Sequence, residues 1–432
     1  MRNCALLTFL VTILTLSALA QQSADTISKK DLSDTITSVK GPVKQLDVID
    51  VMRSIFKKGG KAAIDQPDPR FNISFIPSIG YTLSTGFVIG ASAVSTFYTQ
   101  KDRSLNVSII NAQALHDAHD QNILFVQSNL WADHDNYKFV SDFRIERYPD
   151  VTYGLGDTTT THRPDPITYN YLRLYQTVLR KVVPHLYVGL GYDLDVHYNI
   201  VEDIVQAKNK KKQPILTEYE IYAGVKTTSS PNTISSGYTF NFLYDTRTSP
   251  ENPLGGTFVD LIFRNNYMFL GSSVDYSTAI FDIRKYFKLS KNSNNVLALW
   301  NYDWFTLDGK PPYLDLPSVG ADMYNNTGRG YPINRFRGKH MIYLEAEYRF
   351  GITRNGLLGG TLFGNAANYS TNITTPTPTA AATPDGLQNI IPAGGAGLRI
   401  KINKHSNTNL CIDYGFGIQG SRGFFVNLGE VF

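Results

Sequence analysis

The feature that most constrains the fold is an alternation of apolar and polar residues with a period of two, repeated in segments of about ten residues across residues 71–432. In residues 341–350 the even positions are Ile, Leu, Ala, Tyr and Phe, whereas positions 345, 347 and 349 are Glu, Glu and Arg. Residues 237–245 likewise place two Tyr and two Phe side chains on one face. Such spacing predicts β-strands, because successive side chains of a strand point to opposite faces of the sheet.

The environment of these strands follows from their length and charge. A soluble β-sandwich also alternates, but its apolar face packs against a second sheet. Here aromatic residues lie near the strand ends and charged residues lie on one face, as expected for strands that meet lipid outside and a polar lumen inside. The sequence therefore predicts an all-β fold, a 16-stranded antiparallel transmembrane β-barrel of the outer-membrane type.

The strand count has an independent check in the lengths of the connections. The sixteen predicted segments begin near residues 71, 86, 103, 121, 136, 167, 184, 234, 255, 272, 294, 340, 356, 391, 407 and 422. The long connections are 148–166, 199–233, 309–339 and 367–390, and they follow the fifth, seventh, eleventh and thirteenth segments. Outer-membrane barrels have short periplasmic turns and long outer loops, so long connections on one side only support this count.

Residues 1–20 have the pattern of a secretory signal peptide. A short positively charged start precedes an apolar stretch at 5–16, and Ala-Leu-Ala at 18–20 supplies the small residues of a cleavage site. This pattern predicts export to the outer membrane of a Gram-negative bacterium. The exported chain then divides into a polar periplasmic segment at 21–70 and the barrel at 71–432.

The polar segment carries one structural signal. Residues 21–40 are rich in Ser, Thr, Asp and Lys and are expected to be disordered. Apolar residues at helical spacing predict a short helix at about 44–58. This helix could either plug the barrel or rest at the periplasmic membrane surface.

One connection narrows the family. Residues 328–339 read Gly-Arg-Gly-Tyr-Pro-Ile-Asn-Arg-Phe-Arg-Gly-Lys, and the next strand contains Glu-Ala-Glu-Tyr-Arg at 345–349. This arrangement resembles the Omp85 superfamily, in its BamA/TamA-like barrel (bacterial surface antigen type), where an Arg-Gly-Phe/Tyr loop tip precedes a Glu-x-Arg strand. Asp-Thr-Arg at 245–247 and Asp-Ile-Arg-Lys-Tyr at 282–286 are similar to other strands of that family. The resemblance covers about residues 70–432.

The resemblance implies a loop that folds back into the lumen, with the motif Arg329, Gly330 and Tyr331 at its tip. In the family, this Arg pairs with an acidic residue of the inner wall, and an unpaired buried charge would be costly. We rank Glu347 first and Asp413 second as partners of Arg329, followed by Glu345 and Asn365. Asn365 stands where the family often has an Asp, so the identity of the partner stays open.

The resemblance also implies an activity. It predicts a barrel that assists insertion or translocation of proteins, or lipid, at the outer membrane, with unfolded outer-membrane proteins as clients. Only about 50 residues separate Ala20 from Phe71, too few for the periplasmic POTRA domains of the family's full-length members. The alternative is a passive channel or a structural surface barrel that keeps the fold without insertase activity.

The sequence of the last predicted strand indicates further partners of the protein. Phe424, Val426, Leu428 and Phe432 are expected to share one face, which resembles the signal by which the barrel assembly machinery recognises outer-membrane proteins. Other expected contacts are outer-membrane lipid and lipopolysaccharide, around a monomeric barrel. The net charge of +4 is too small to indicate nucleic acid.

The sequence offers little support for an enzyme. Asp195 and His197 share a strand face, as in an acid–histidine pair, but no second acidic pair appears in matching order. The stretches 116–120 and 133–135 contain His and Asp, yet the predicted topology puts them at opposite ends of the barrel. We therefore expect no catalytic, cofactor-binding or metal site.

Overall fold

The computed structural model describes residues 35–38, 41–48, 50–51, 71–82, 86–102, 105–157, 159, 164–202, 216–224, 229–291, 293–370, 389–404 and 407–432. The predicted signal peptide at 1–20 lies outside these residues, and so do 21–34 of the polar segment. Within the described ranges, no helix is long and apolar enough to span a membrane.

The regular secondary structure of the described residues is almost entirely β-strand. Its strands are β1 (Thr35–Ser38), β2 (Gly41–Lys44), β3 (Phe71–Thr82), β4 (Gly86–Phe97), β5 (Ser108–Asp117), β6 (Asn122–Ala132), β7 (Tyr137–Thr152), β8 (Asp165–Val183), β9 (Leu186–Glu202), β10 (Ser229–Ser230), β11 (Thr233–Asp245), β12 (Gly256–Asn266), β13 (Tyr276–Lys288), β14 (Val296–Gly309), β15 (His340–Gly351), β16 (Leu358–Ser370), β17 (Ile391–Asn403), β18 (Thr408–Gly417) and β19 (Arg422–Leu428). A short helix α1 (Glu218–Ala223) and two 3₁₀ turns, Met268–Leu270 and Tyr313–Asp315, lie in the connections.

The strands from β3 to β19 form one antiparallel sheet. From β3 to β9 and from β11 to β19, each strand pairs with the next strand in the chain, and β10 and β11 both pair with β9. The strand order is that of a closed barrel in which β19 lies beside β3. The predicted all-β, antiparallel fold is confirmed. The observed strands begin close to the predicted positions, and the largest difference is at β5, which was expected near 103 and begins at Ser108.

Alternate residues of each strand point to the outer and the inner surface of the sheet, as the sequence pattern predicts. On β15, Leu344 points outward and is 50% exposed, whereas its neighbours Glu345 and Glu347 point inward and are buried. The inner surface also carries large aromatic side chains that are buried, among them Trp300 and Tyr343. Large side chains are therefore packed on the inner surface at β14 and β15.

The structure corrects two expectations for the polar segment. Residues 35–38 were expected to be disordered, but β1 pairs with β2 in a hairpin. Lys44 belongs to β2 rather than to the predicted helix, because its backbone is already used in that pairing. Helical structure begins at residue 48, and residues 52–58 of the predicted helix lie outside the described residues.

The start of this helix rests on the rim of the barrel. Asp47 caps it by accepting a hydrogen bond from the Asp50 backbone N–H at 2.8 Å. Asp47 also accepts from the Lys404 backbone N–H at 3.1 Å, and the Lys404 ammonium lies 2.7 Å from the Asp50 carboxylate. The backbone N–H of Leu46 donates to Asn355 in the turn between β15 and β16. The described part of the segment thus contacts the turns at one end of the barrel and does not enter the lumen.

Candidate functional site

The connection between β14 and β15, residues 310–339, folds into the lumen and is held in shape by Arg337. The Arg337 guanidinium donates to the carbonyl oxygens of Tyr313, Leu314 and Leu316 at 3.0, 3.2 and 3.1 Å. The Arg337 side chain is 3% exposed, so these bonds form away from water. One buried cation therefore binds three backbone carbonyls of the loop, and buried carbonyls need such partners.

Arg329 lies at the centre of the lumen site. Its guanidinium contacts the carboxylates of Glu345 and Glu347 on β15 and of Asp413 on β18. All four side chains are at most 1% exposed. The guanidinium also stacks on the ring of Phe363 on β16, 3.9 Å from its centroid.

The structure brings all four predicted partners to Arg329. Three of them contribute carboxylates, and the Asn365 side-chain amide donates to the Arg329 carbonyl oxygen at 2.9 Å. The sequence left the choice among these candidates open, and in the structure Glu345, Glu347 and Asp413 share the same guanidinium. The reason is geometric, because the three carboxylates of β15 and β18 point to the same place in the lumen. A guanidinium has five N–H donors in one plane and can bind several carboxylates at once.

The sequence prediction missed three further members of this network. Arg349 lies 2.6 Å from Glu347 and 3.5 Å from Glu430. Arg399 on β17 contacts Asp413 and lies 2.8 Å from Glu430. Both arginines occupy inward-facing positions of predicted strands, so strand parity could have identified them. We call these seven residues the lumen network: Arg329, Arg349, Arg399, Glu345, Glu347, Asp413 and Glu430.

The segment after β19 corrects the predicted common face of the last strand. Phe424 and Val426 point outward and are 50% and 47% exposed, and the side chain of Leu428 lies outside the described residues. Phe432 instead lies inside the barrel, 3% exposed and stacked on Trp300 at 5.0 Å between ring centroids. Gly429 has φ +88, a conformation that ends the two-residue period and turns the following residues inward.

The tip of the loop packs tightly against β17 and the turn after β18. Gly330 has φ +113, and a Cβ atom there would lie 2.7 Å from the Cβ of Ala393. The Tyr331 hydroxyl donates to the Pro392 carbonyl at 2.5 Å and accepts from the Ile418 backbone N–H at 2.9 Å. In the Arg-Gly-Tyr sequence, Arg329 supplies the charge for the ion pairs, and Gly330 lacks a side chain where the loop comes closest to β17. The Tyr331 hydroxyl links β17 to the turn after β18.

The same loop reaches the opposite wall. Gln127 on β6 donates to the Met323 carbonyl at 2.9 Å, and Arg144 on β7 donates to the same oxygen. On the other side, Asn427 of β19 donates to Asn326 at 2.9 Å. Residues 322–327 thus bridge the lumen between β6 and β7 on one side and β19 on the other.

Asp195 and His197, the acid–histidine pair considered in the sequence, lie in a second group of charged side chains in the lumen. Asp195 is engaged by two arginines, Arg264 at 2.6 Å and Arg173 at 3.3 Å. His197 lies 3.5 Å from Asp315, which belongs to the 3₁₀ turn of the loop. Burial, together with the nearby Asp195 carboxylate, raises the pKa of Asp315 to about 7. The His197 contact and the hydrogen bond that Ser235 donates to Asp315 at 2.6 Å attach the loop to β9 and β11.

The chain resembles known proteins in sequence and in fold. A model of the Omp85 superfamily domain matches residues 186–432. Among solved structures, BamA from Haemophilus ducreyi lacking POTRA domains 1–3 aligns with a TM-score of 0.54 at 14% identity, over 83% of this chain and 70% of that chain. CdiB from Acinetobacter baumannii (TM-score 0.50, 12% identity) and CdiB from Escherichia coli (0.52, 9%) also align over 83% of this chain.

These structural likenesses concern the fold. The alignments cover 60% and 62% of the two CdiB chains, less than two thirds of their length. No curated protein matches the sequence.

Proposed function

Because this chain belongs to the Omp85 superfamily, a family of outer-membrane barrels for insertion and translocation, we propose that it is an outer-membrane biogenesis barrel of the BamA/TamA type. In this role it assists insertion or translocation of proteins, or of lipid, at the outer membrane. Unfolded outer-membrane proteins are the proposed clients. The chain has no enzymatic step of its own in this proposal.

The observation that carries the proposal is the lumen network around Arg329. It joins the loop between β14 and β15 to β15, β17 and β18, and residues 322–327 extend the contact to β6 and β7. A passive porin-like channel needs a continuous water-filled lumen. A loop anchored to both sides of the lumen favours a braced barrel instead.

The proposal assigns sixteen membrane crossings, to β3–β9 and β11–β19, and a gate at the seam between β19 and β3. The strand β19 has 7 residues, whereas β18 has 10 and β3 has 12. A short strand offers fewer backbone hydrogen bonds to its neighbour. Gly423 lies within β19, and glycine further weakens a strand because it has no side chain to pack.

The proposal also fixes an orientation. The long connections face outward toward lipopolysaccharide, and the turns that hold Asn355 and Lys404 face the periplasm. An N-terminal signal peptide directs export in a Gram-negative bacterium, and the barrel assembly machinery inserts the last strand. The barrel is monomeric and contacts outer-membrane lipid on its outer surface.

A passive channel or a structural surface barrel is the alternative function. It shares the fold and the orientation and differs in having no client. Exposed aromatic side chains on the outer wall suit both functions equally, so the discriminating property is an effect on other outer-membrane components.

Depletion in the native host tests the proposed function. The expected result is a fall in the abundance of outer-membrane proteins or lipopolysaccharide, measured by quantitative mass spectrometry of purified outer membranes. Complementation with the unaltered protein should restore it and Arg329→Ala should restore it less well. Arg354→Ala, which changes an exposed arginine in the turn between β15 and β16, is the matched control. An unaltered outer-membrane composition after full depletion would reject the biogenesis role.

A further inference from the structure

We propose that the connection between β12 and β13 is a lipid anchor, which inserts Met268, Phe269 and Leu270 into the outer leaflet of the membrane. The inference rests on the orientation given under the proposed function, in which this connection faces outward. It concerns a surface that lies outside the lumen network, on the outer wall of the barrel.

The first argument is exposure. Phe269 is 79% exposed, Met268 61% and Leu270 36%, and all three come from a single 3₁₀ turn. Val274 in the same connection is 37% exposed. Residues 267–274 read Tyr-Met-Phe-Leu-Gly-Ser-Ser-Val and contain no charged side chain. A contiguous apolar surface of this kind marks contact with a membrane or a protein.

The second argument is the place where the connection lies. Ser236 on β11 belongs to the outward-facing set of that strand, together with Phe240 and Phe242. Yet Ser236 is only 1% exposed, and its hydroxyl donates to the Leu270 carbonyl at 2.7 Å. The Ser273 backbone N–H donates to the Ile234 carbonyl at 2.7 Å. The connection is therefore folded down over the outer wall and does not project over the mouth of the lumen.

The third argument is rigidity. The Gly271 and Leu270 backbone N–H groups donate to the carbonyls of Met268 and Tyr267 at 2.9 and 3.0 Å. The Asp275 carboxylate accepts from the Met268 backbone N–H at 2.6 Å. Because the backbone is already fixed, burial of the apolar side chains in lipid is not offset by the entropy of ordering the loop.

The fourth argument identifies lipid as the occupant. Tyr267 packs on Phe269 at 5.2 Å and on Tyr238 at 5.9 Å between ring centroids, and Tyr238 packs on Phe240 at 5.3 Å. Phe240 itself is 45% exposed on the strand face that meets the bilayer. The apolar surface of the connection is thus continuous with the lipid-facing surface of β11. Tyrosines at this level are also typical of the membrane interface of β-barrels.

Site-directed spin labelling in reconstituted bilayers tests the anchor. A nitroxide at Met268→Cys is compared with one at Ala118→Cys, an exposed residue in the connection between β5 and β6 at the same end of the barrel. Cys411 is fully buried, and the parent protein carried through the same labelling gives the background. Heat-modifiability on gels confirms that each variant is folded before the measurement.

The measured quantity is the accessibility of each label to oxygen, which partitions into lipid, relative to a water-soluble nickel complex. We expect this ratio to be several-fold higher at position 268 than at position 118. Equal ratios would place the connection in water and overturn the proposal. A label at 268 that neither reagent reaches would also overturn it and would indicate a covering protein, either another chain or a second copy. Depletion phenotypes do not enter this test, so it can fail while the biogenesis role stands.

Discussion

Arg329 and Asp413 are 84 positions apart in the chain, and their side chains form a buried ion pair inside the barrel. Arg329 belongs to the connection between β14 and β15, and Asp413 belongs to β18. The same guanidinium contacts Glu345 and Glu347 on β15, so one side chain links two strands that β16 and β17 separate. Charge pairing thus attaches the loop to two separate parts of the inner wall.

Removal of this guanidinium should destabilise the folded barrel without preventing export. Arg329→Ala leaves three buried carboxylates around an empty position, and breaking a buried pair of this kind costs about 3–5 kcal/mol. We expect a lower temperature of half-unfolding and a lower folding yield, read from heat-modifiability on semi-native gels. Arg354→Ala is the control on the exposed turn. An unfolding temperature equal to that of the unaltered protein would argue against an inward-folded loop.

Double-mutant cycles should show that Arg329 is shared. Arg329→Ala is combined in turn with Glu345→Gln, Glu347→Gln and Asp413→Asn. Residues in one ion-pair network typically couple by about 0.5–3 kcal/mol, and we expect a coupling free energy in that range for each pair. A coupling free energy confined to the pair with Glu347 would show that Arg329 is not shared. The unfolding free energy of each variant is the quantity to measure.

Gly330→Ala should weaken the docking of the loop tip. The added methyl group meets Ala393 and also forces φ +113 on a residue with a Cβ atom. Gly420→Ala is the matched control, since Gly420 has φ +75 but no atom within 4 Å of its Cβ position. We expect the larger loss of heat resistance for Gly330→Ala. Equal losses would mean that backbone strain, and not the close approach to β17, accounts for the effect.

The loop contact at Asp315 should depend on pH. Its pKa in the folded protein, about 7, lies above the value of about 3.9 for an unfolded chain. Between these values the folded state binds a proton that the unfolded chain has lost, so the free energy of unfolding falls as the pH rises. Above about pH 7 the loss levels off.

Asp315→Asn should remove this dependence. The amide resembles the protonated acid and can still accept the hydrogen bond that Ser235 donates at 2.6 Å. We expect a higher unfolding temperature than that of the unaltered protein at pH 8 and a smaller difference at pH 5. Parallel curves for the two proteins from pH 5 to 8 would contradict a protonated Asp315.

The conductance of the barrel should be small and erratic in planar bilayers, because residues 322–327 cross the lumen. Deletion of 322–327 should increase the conductance, and a deletion in the exposed turn at 352–357 should not. A large and steady conductance of the unaltered protein would favour the channel alternative.

The strands and their faces follow from local pattern. Each of β7, β11 and β15 carries outward apolar residues and inward polar ones as the two-residue period requires, because the side-chain direction of a strand depends only on its parity. The position of Arg329 in the lumen, by contrast, was known only through the family resemblance. Arg349 and Arg399 lie on strand faces that were correctly predicted to point inward. The odd or even position of a residue, however, does not say which inward-facing side chains contact each other.

Contacts between distant segments determine side-chain positions that the two-residue period does not predict. Phe432 continues the aromatic pattern of β19 in sequence, yet the left-handed conformation of Gly429 turns it onto Trp300. The apolar residues 268–270 give no indication in sequence that their turn folds over Ser236 on the outer wall. Both placements depend on contacts between segments far apart in the chain. Strand identity is a local property of the polymer, whereas the lumen network and the outer anchor exist only once the barrel brings distant strands together.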